Sequence, residues 1–541
     1  MSGAELSGPS LPVPRWLRFG VGIALLLELA IGLGLRFGVS QPLWLDEALS
    51  VNIAKLPMSQ LPGALRQDGA PPLYYVLLHL WISVFGSSAS AVRSLSGLCS
   101  VATIAVAAVV FRRLWGNRVA LLATALLVAA PFAIYYATEA RMYALVMLEV
   151  TLLLGLVDLS LRRPRPLVLL GLVVVVAALL YTHYWSIYLL AAVGLWLGFR
   201  IWRSPRSERR APVRTLLALA GGGVCFLPWL PTFLYQAAHT GTPWGEPPPL
   251  SIPVDLIGWF TWNQAAIYQV PSLHAKVLIA GYLGAMVLGL VAVATGSLTV
   301  AGTWLVQPRA RLMGWLCFGT IGFGSAAALL AGSVVTARYA AVAFIPLIVL
   351  LALGLDSFGA PLLKVAVAVV LAGTSLWAAW DNRATARTES VLVAKVLTHH
   401  ASAGDVVVFC PDQLGPSTLR LLPPGRFRTI GFPRFGPVVR INWVDYEVAV
   451  HRADPTKFAL ATMALAGPTH HVWLAWSPHA WGLHGKCGQL EGALAAQSSA
   501  VVTWLPVLDH RFFQPMALTE FSPLVVHPVP SPAPGPAGAL G

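Results

Sequence analysis

Long apolar runs separated by short polar segments dominate the first two thirds of the chain. A membrane-spanning helix needs roughly 17–25 mostly apolar residues, and most of the runs have about that length. The pattern therefore predicts an α-helical polytopic membrane protein with about 11 transmembrane helices. The predicted spans are residues 17–38, 93–111, 119–137, 143–161, 167–181, 184–201, 214–235, 274–296, 312–332, 339–356 and 361–379.

One further apolar segment, residues 73–86, is short for a span, and the arginines decide how it is interpreted. If it does not cross, four loops that carry fourteen arginines lie on the side of the N-terminus. The opposite loops then carry only Lys55, Arg66, Arg141 and Arg338. The positive-inside rule therefore places residues 73–86 on the outer face. We expect a long first outer loop with interfacial helices, a cytoplasmic N-terminus, and the cytoplasmic (inner) membrane as location.

The pattern changes near residue 380, where helical segments alternate with short apolar segments that predict strands, namely DVVVFCP (405–411), HHVWLAWSP (470–478) and VVTWLPVL (501–508). Alternating strands and helices predict a small C-terminal α/β domain, and an odd number of spans places it outside the cytoplasm. The predicted division is a disordered cytoplasmic N-terminus (1–15), a transmembrane catalytic domain (16–380), an extracytoplasmic α/β domain (381–525) and a disordered tail (526–541). Cys410 and Cys487 form either a disulfide or two free buried thiols, two alternatives that the sequence leaves open.

Composition agrees with a membrane protein, since 57% of the residues are hydrophobic and only 11% are charged. The net charge of +14 is concentrated before residue 380, with 24 basic against 12 acidic residues there and 12 against 10 afterwards. The basic excess therefore indicates membrane topology. Nucleic-acid binding is disfavoured because no stripe of basic and aromatic residues occurs.

An acidic pair, Asp46 and Glu47, follows the first predicted span in the stretch QPLWLDEALS. Neighbouring helical residues point about 100° apart, so the two carboxylates need not serve one site. Asp46 could simply cap an interfacial helix. Alternatively, a carboxylate at this position could take a proton from a hydroxyl group.

Further polar residues fall on the same outer face, among aromatic residues. Arg141 or Arg338 could hold a phosphate through its guanidinium group, although paired or snorkelling charges are the alternative. His183 could have a purely structural role. The tyrosines could belong to an aromatic belt at the membrane surface, or they could line a site that binds a sugar. The candidate residues for binding the phosphate or the sugar of a substrate are Glu139, Arg141, Tyr143, His183, Arg338, Tyr339, Tyr74 and Tyr75. An aromatic cover of Trp244, Trp259, Trp262 and Asn263 is expected from the loop 236–273.

The convergence of carboxylates, arginines and aromatic residues suits a reaction between a lipid-phosphate donor and an acceptor outside the cytoplasm. A carboxylate can deprotonate the acceptor hydroxyl, and arginines can stabilise the departing phosphate. The chain contains no P-loop, GxGxxG or GxSxG motif. We predict no cofactor, since no clear cluster of metal ligands is visible, although a divalent metal stays possible.

The ordered set LDEALS, PPLYYVLLHLWISVFG, IYYATEARMYAL, YTHYW and ARYAAVAFIPLI resembles bacterial membrane glycosyltransferases of the GT-C superfamily. The most similar group contains protein O-mannosyltransferase and aminoarabinose-transferase relatives, also known as polyprenyl-phosphate-mannose mannosyltransferases. The similarity spans about residues 16–360. It implies a polyprenyl-phosphate-sugar donor, an inverting transfer outside the cytoplasmic membrane, and a glycan, lipid or protein acceptor. Mannose is the favoured sugar and arabinose the next.

The resemblance also implies roles for particular residues. Asp46 matches the acidic residue taken as catalytic base, with Glu47 beside it. Arg141 and Tyr143 match an Arg-x-Tyr motif, and the Arg-Tyr pair at 338 and 339 is expected near the donor phosphate. Two other functions stay open, a transporter or flippase of lipid-linked precursors and a non-catalytic envelope scaffold. Transporters more often show internal repeats and broken helices at the membrane midplane, which this sequence lacks.

Overall fold

The computed structural model describes residues 15–241, 252–261, 277, 280–285, 287, 308–358, 361–384, 386–477, 483, 485–506, 512 and 514–524. The chain forms two compact units. The first contains residues 1–388 together with 439–448 and 509–514, and the second contains 389–438, 449–508 and 515–541. The predicted regions 1–15 and 526–541 lie outside the described residues except for residue 15, and the span 274–296 is described only at residues 277, 280–285 and 287.

The first unit is built from helices. Its α-helices, in chain order, are α1 (Arg15–Leu35), α2 (Leu45–Ala54), α3 (Leu61–Asp68), α4 (Leu73–Phe85), α5 (Ala89–Ala129), α6 (Pro131–Ala137), α7 (Tyr143–Arg162), α8 (Pro166–Thr182), α9 (Ser186–Arg203), α10 (Arg210–Val224), α11 (Leu230–His239), α12 (Ile252–Thr261), α13 (Pro308–Ala331), α14 (Phe344–Asp356) and α15 (Pro361–Ala384). Short 3₁₀ helices cover Met58–Gln60, Arg206–Glu208 and Tyr339–Ala343.

Several of these helices can cross a membrane. Within the described residues, five helices are long and apolar enough, and three further apolar helices are shorter. The five are Ala89–Ala129, Tyr143–Arg162, Arg311–Ala331, Tyr339–Asp356 and Leu362–Arg383, and the three are Phe19–Leu35, Leu73–Phe85 and Pro166–Thr182. A mostly helical, multi-pass membrane protein is therefore confirmed, whereas the count of 11 spans is not.

Helix α5 contains two of the predicted spans, because the chain reverses direction at Gly116. The backbone of Gly116 has φ +82° and ψ 179°, which is not helical. The buried guanidinium of Arg36 donates to Ser100 Oγ at 2.9 Å and to the carbonyl oxygen of Val128 at 2.9 Å. In a straight helix those two residues would lie about 42 Å apart. The predicted loop between the spans 93–111 and 119–137 therefore does join two neighbouring helices.

Two predicted spans are interrupted. The span 119–137 ends at Ala129, and the separate helix α6 follows after Ala130. The span 214–235 consists of α10 and α11, which are joined by residues 225–229. Pro131 and Pro231 each stand in the first turn of the second helix, where a missing N–H costs no hydrogen bond. Apolar periodicity alone does not show such breaks.

The expected interfacial helices of the first outer loop are α2, α3 and α4. Helix α11 holds α3 in place, because Gln236 donates to the carbonyl oxygens of Leu65 at 2.8 Å and Ala70 at 3.3 Å. Residues 439–448 belong to the same compact unit, and the Trp443 N–H donates to the carbonyl oxygen of Gln67 at 3.0 Å. The sequence analysis had placed this segment in the C-terminal domain.

The second unit contains a five-stranded sheet. The strand order is β2-β1-β3-β5-β4, in which β2, β1 and β3 are parallel and β5 pairs antiparallel with β3 and β4. The strands are β1 (Val406–Cys410), β2 (Arg428–Gly431), β3 (Val472–Trp476), β4 (Ser498–Leu505) and β5 (Ala517–Pro523), and the helices in this part of the chain are Ser390–His400, Gly415–Leu419, Tyr446–Arg452, Pro455–Ala466 and Lys486–Ala495.

The predicted α/β domain is confirmed in kind, with three of its strands expected from the sequence. Strands β1, β3 and β4 match the apolar segments DVVVFCP, HHVWLAWSP and VVTWLPVL, whereas β2 and β5 were not predicted. Strand β2 has only four residues, and its short sequence gives no alternation to recognise. Cys410 and Cys487 form a disulfide with their Cα atoms 5.5 Å apart, which resolves that alternative.

Replacing Gly116 with alanine should destabilise the first unit. No atom lies within 4 Å of a Cβ built there, so the cost comes from the backbone conformation alone. This region of φ and ψ is nearly exclusive to glycine, and we expect a loss of about 1–3 kcal/mol. Thermal unfolding in detergent measures it. Gly198→Ala is the matched control, since Gly198 also faces open space but has helical geometry. Equal effects of the two variants would contradict the prediction.

Candidate functional site

The acidic pair stands in the first turn of α2, with Trp44 as the N-cap residue. The Glu47 carboxylate accepts the backbone N–H of Trp44 at 3.4 Å. Glu47 therefore contributes to capping, and the alternative that Asp46 is only a helix cap is wrong. Because the two side chains leave the helix in different directions, they contact different partners.

Glu47 is fully buried in a network of hydrogen bonds. Arg93 donates from Nη2 at 2.6 Å and from Nε at 2.7 Å, so the pair is bidentate. The Ala140 N–H donates to the same carboxylate at 3.0 Å, and Arg387 lies 3.9 Å away. Burial alone would raise the pKa of Glu47, but Arg93 and Arg387 outweigh it and lower the pKa overall. Glu47 is thus a permanently ionised residue that joins α2 to α5 and to the segment before α7.

Asp46 forms a different ion pair, with Arg338 at 2.6 Å. The two side chains are 16% and 12% exposed, whereas the side chains of Glu47 and Arg93 are 0% and 4% exposed. Of the two acids, only Asp46 is therefore partly exposed to solvent. The guanidinium of Arg338 also lies 5.5 Å from the centre of the Tyr339 ring.

Arg141 is surrounded by hydroxyl groups. Its Nη1 donates to Ser50 Oγ and to Tyr75 OH, both at 3.1 Å, and Tyr75 in turn donates to Asp68 at 2.9 Å. Its Nε is buried and has no hydrogen-bond partner among the described residues. Burial by itself lowers the pKa of Arg141, but Tyr75 and the nearby acids raise it well above the ordinary value. Arg141 is therefore a firmly charged cation that is held by neutral groups.

Tyr74 and Tyr75 have different surroundings. Tyr75 contacts Arg141 directly, as described above. The Tyr74 hydroxyl is 3.0 Å from Ser96 Oγ, and Ser96 donates to the carbonyl oxygen of Arg141 at 3.2 Å. Tyr74, which is 1% exposed, thus supports the backbone of Arg141 through Ser96.

The remaining aromatic candidates form a chain of rings next to the two arginines. The ring centres of Tyr143 and His183 are 5.7 Å apart, and those of His183 and Tyr339 are 5.9 Å apart. Burial, together with Arg141 and Arg338, lowers the pKa of His183 to about 3. The Trp185 N–H donates to His183 Nδ1 at 3.2 Å, which leaves the proton of the neutral ring on Nε2. His183 therefore acts as a neutral hydrogen-bond donor and not as a cation.

Glu139 lies beneath the ion pairs at 1% exposure. Trp44 Nε1 donates to its Oε1 at 3.1 Å, and its Oε2 is buried without a partner among the described residues. Burial and the charge of Glu47 raise the pKa of Glu139 to about 7, against the opposing effect of Arg387. This group can hold or release a proton near neutral pH.

The sequence analysis missed three members of this network. Arg93 stands at the start of a predicted span and Arg387 follows the last one, and neither was considered. Ser50 lies one helical turn after Asp46, on the same face of α2. The signal that could have identified Arg93 is the high cost of a charge within a membrane-spanning helix, which requires a partner.

A metal site is not visible in the described part of the chain, where no group of three or more His, Cys, Asp or Glu side chains could hold an ion. Asp46 and Glu47 are each paired with an arginine instead. Of the expected aromatic cover, Trp244, Trp262, Asn263 and the side chain of Trp259 lie outside the described residues.

Removing the Glu47 charge should unfold this region. Glu47→Gln leaves Arg93 buried without its ionic partner, and breaking a buried pair in this way costs about 3–5 kcal/mol. The midpoint of thermal unfolding in detergent reports the loss. Asp158→Asn is the control, because Asp158 pairs with the more exposed Arg113 and Arg162. We expect that control to change stability by less than about 1 kcal/mol. A Glu47→Gln protein as stable as the control would refute the structural role.

Glu139→Gln should stabilise the protein at high pH only. The pKa of Glu139 rises from 4.5 to about 7 on folding, so its favourable contribution is complete below pH 4.5 and is lost as the pH rises through 7. Glutamine mimics the protonated form. We expect the variant to exceed the wild type by about 1–3 kcal/mol at pH 8 and to match it near pH 4. Unfolding midpoints at both pH values test this, and a difference independent of pH would exclude it.

The chain is similar to known proteins in part of its sequence and in its fold. Residues 69–232 match the family described as dolichyl-phosphate-mannose-protein mannosyltransferase. No curated protein matches the chain. The matched segment contains Arg93, Glu139, Arg141 and His183, but ends before Arg338.

Solved structures match over nearly the whole chain. ArnT from Cupriavidus metallidurans in the apo state has a TM-score of 0.57 and 13% identity, covering 93% of this chain and 97% of that one. The same protein bound to undecaprenyl phosphate gives 0.55 and 12%, covering 93% and 98%. An oligosaccharyltransferase of Archaeoglobus fulgidus, in complex with zinc and sulfate, gives 0.51 and 11%, covering 89% and 72%. The family match and the shared architecture confirm the resemblance seen in the sequence, and the chain has the fold of the GT-C superfamily of membrane glycosyltransferases.

Proposed function

We propose that the protein transfers a sugar from a polyprenyl-phosphate donor to an acceptor outside the cytoplasm. The observation that carries this proposal is the partly exposed ion pair of Asp46 and Arg338, with Arg141 close by. In this arrangement the candidate base, Asp46, lies next to two arginines that keep their positive charge. The mannosyltransferase family match supports mannose as the first sugar to test, and arabinose follows by resemblance.

The two arginines suit a phosphate that carries negative charge before and after the transfer. Arg141 is held by the neutral hydroxyls of Ser50 and Tyr75, so it keeps its charge available for an anion. A guanidinium group binds phosphate oxygens through paired N–H groups. ArnT, which shares this fold, has been solved with undecaprenyl phosphate. A lipid-linked phosphate donor is therefore a reasonable ligand for this face.

Donor binding would also prepare the base. Arg338 is paired with Asp46 at 2.6 Å. A phosphate that engages Arg338 competes for the same N–H groups and releases the Asp46 carboxylate. Asp46 then accepts the proton of the acceptor hydroxyl while that oxygen bonds to the anomeric carbon. The bond from that carbon to the phosphate oxygen breaks, and the phosphate leaves with the electron pair, stabilised by Arg141 and Arg338. Attack opposite the leaving group inverts the anomeric centre.

Glu47 has a supporting role in this proposal. It is fully buried and paired with Arg93, so it cannot reach an acceptor hydroxyl without breaking that pair. Its bonds hold the first turn of α2 against α5 and Ala140. Since Asp46 precedes Glu47 directly, the orientation of the base depends on this attachment. From the sequence, both acids were candidates for catalysis. We now assign the proton transfer to Asp46 and the positioning of that base to Glu47.

The membrane arrangement follows from charge and redox chemistry. The arginine-rich loops support a multi-pass inner-membrane protein with a cytoplasmic N-terminus. The disulfide between Cys410 and Cys487 supports an oxidising, extracytoplasmic location for the second unit. The acceptor would then be a glycan, lipid or protein outside the cytoplasm.

Transfer assays test the proposal directly. Purified protein receives radiolabelled polyprenyl-phosphate-mannose, and in parallel polyprenyl-phosphate-arabinose, with cell-envelope glycans as acceptors. We expect Asp46→Asn to lower the turnover rate at least 100-fold, because general-base catalysis contributes about that much. Asp158→Asn removes another arginine-paired carboxylate, near the end of α7 that is opposite to Tyr143, and should keep full activity.

The outcomes separate the alternatives. Normal transfer by a folded Asp46→Asn protein would show that another group is the base. Failure of the wild type with both donors, without sugar transfer to any acceptor, would contradict the choice of sugars. If the protein instead moved the intact lipid across vesicle membranes, the flippase function would replace the transferase.

A further inference from the structure

The end of the bundle away from the candidate site carries a dense basic surface. Helix α9 begins three residues after His183 and ends at Arg203, about 27 Å further along its axis. Residues 200–214 contain six arginines and a single acid, Glu208. We call this segment, together with residues 162–165, the arginine face. None of the candidate site residues belongs to it.

The two parts of the arginine face lie side by side. Ser160 Oγ at the end of α7 is 2.9 Å from Thr215 Oγ1 in the first turns of α10. The contact brings the loop with Arg162, Arg163 and Arg165 next to Arg214. Nine arginines therefore share one surface, and a positive potential of this density attracts anions strongly.

Few of these charges are neutralised within the protein. Among the described residues, Arg162 pairs with Asp158, which also pairs with Arg113. None of the arginines between 200 and 214 forms a salt bridge within the described part of the chain, and five of the six are exposed. Arg210 stands in the first turn of α10, and Arg214 follows one turn later. Cations are unfavourable at that end of a helix dipole, and a bound anion would offset the cost. Topology alone requires an excess of positive charge but no such concentration of it.

Aromatic side chains border the same surface. Trp202 and Phe199 are 70% and 55% exposed, and they project from the last turns of α9. The guanidinium of Arg203 lies 5.4 Å from the centre of the Phe199 ring and 5.3 Å from that of Trp202. Arg200 stands 5.6 Å from the centre of the Trp196 ring. Such amphipathic rings prefer the level of the lipid headgroups, where acyl chains meet water.

We propose that the arginine face binds an anionic glycerophospholipid, with its phosphate on the arginines of residues 200–214 and its acyl chains against Phe199 and Trp202. The proposal is independent of the transferase function, because the surface lies one span away from Asp46. Charge selects the anionic headgroup, and the exposed aromatic rings favour a lipid over a soluble phosphate. Clusters of basic residues directly next to a membrane helix recognise anionic lipids in this way.

Lipid titration of the purified full-length protein tests the proposal. In detergent, phosphatidylglycerol should raise the unfolding midpoint by several degrees, and phosphatidylcholine should not. The triple variant R206Q/R210Q/R214Q should bind a fluorescent phosphatidylglycerol about tenfold or more weakly, since each surface cation contributes to the attraction. The triple variant R440Q/R452Q/K457Q removes three exposed cations elsewhere and should bind like the wild type.

Further measurements guard against trivial results. The R206Q/R210Q/R214Q protein must unfold at the wild-type midpoint in detergent alone, and R206K/R210K/R214K should keep most of the binding. Raising the salt concentration should weaken binding by the wild type. Equal stabilisation by phosphatidylcholine, or full binding by the glutamine variant, would overturn the proposal. Equal stabilisation by soluble glycerophosphate would also overturn it, because the site would then recognise a soluble anion.

Discussion

The buried ion pair between Glu47 and Arg93 is the interaction on which the candidate site depends. A charge buried in a membrane protein is stable only with a partner and further hydrogen bonds, and this pair has both. The carboxylate accepts two bonds from Arg93 and one from the Ala140 N–H. It therefore joins the first outer loop, the start of α5 and the segment that carries Arg141. Together with the bond from Arg141 to Ser50, this link sets the position of Asp46 relative to the arginines.

Around this fixed centre, the polar groups differ in how tightly they are held. Glu47 is saturated with partners, whereas Glu139 has a buried oxygen without a partner among the described residues and a pKa of about 7. Asp46 is paired with one partly exposed arginine. This gradient from fixed to available groups is what a site for a charged substrate requires, because binding energy must come from groups that are not already satisfied. The arginine face at the other end of the bundle has the opposite character, because most of its charges are exposed and, within the described part of the chain, only Arg162 forms a salt bridge.

Much of the fold could be predicted from the sequence, because lipid imposes strong rules on apolar length and loop charge. The runs that became α7, α8 and α9 were predicted to within two residues. Breaks such as Ala130 and residues 225–229 were missed because the apolar pattern continues through them. In the second unit, β2 and β5 were missed because the first is very short and neither stands out by periodicity.

The sequence by itself determined the class of the protein, the grouping of Asp46, Arg141 and Arg338 on one face, and the resemblance to GT-C enzymes. These conclusions follow from local composition and spacing, which can be determined without knowing which residues are in contact. Only the tertiary structure decided which acid is buried and which is accessible, because that depends on Arg93 and Arg338, 46 and 292 residues away from their partners. It also decided that the two cysteines are joined. When two side chains are so far apart in the sequence, tertiary packing determines whether they meet, and no local sequence pattern predicts it.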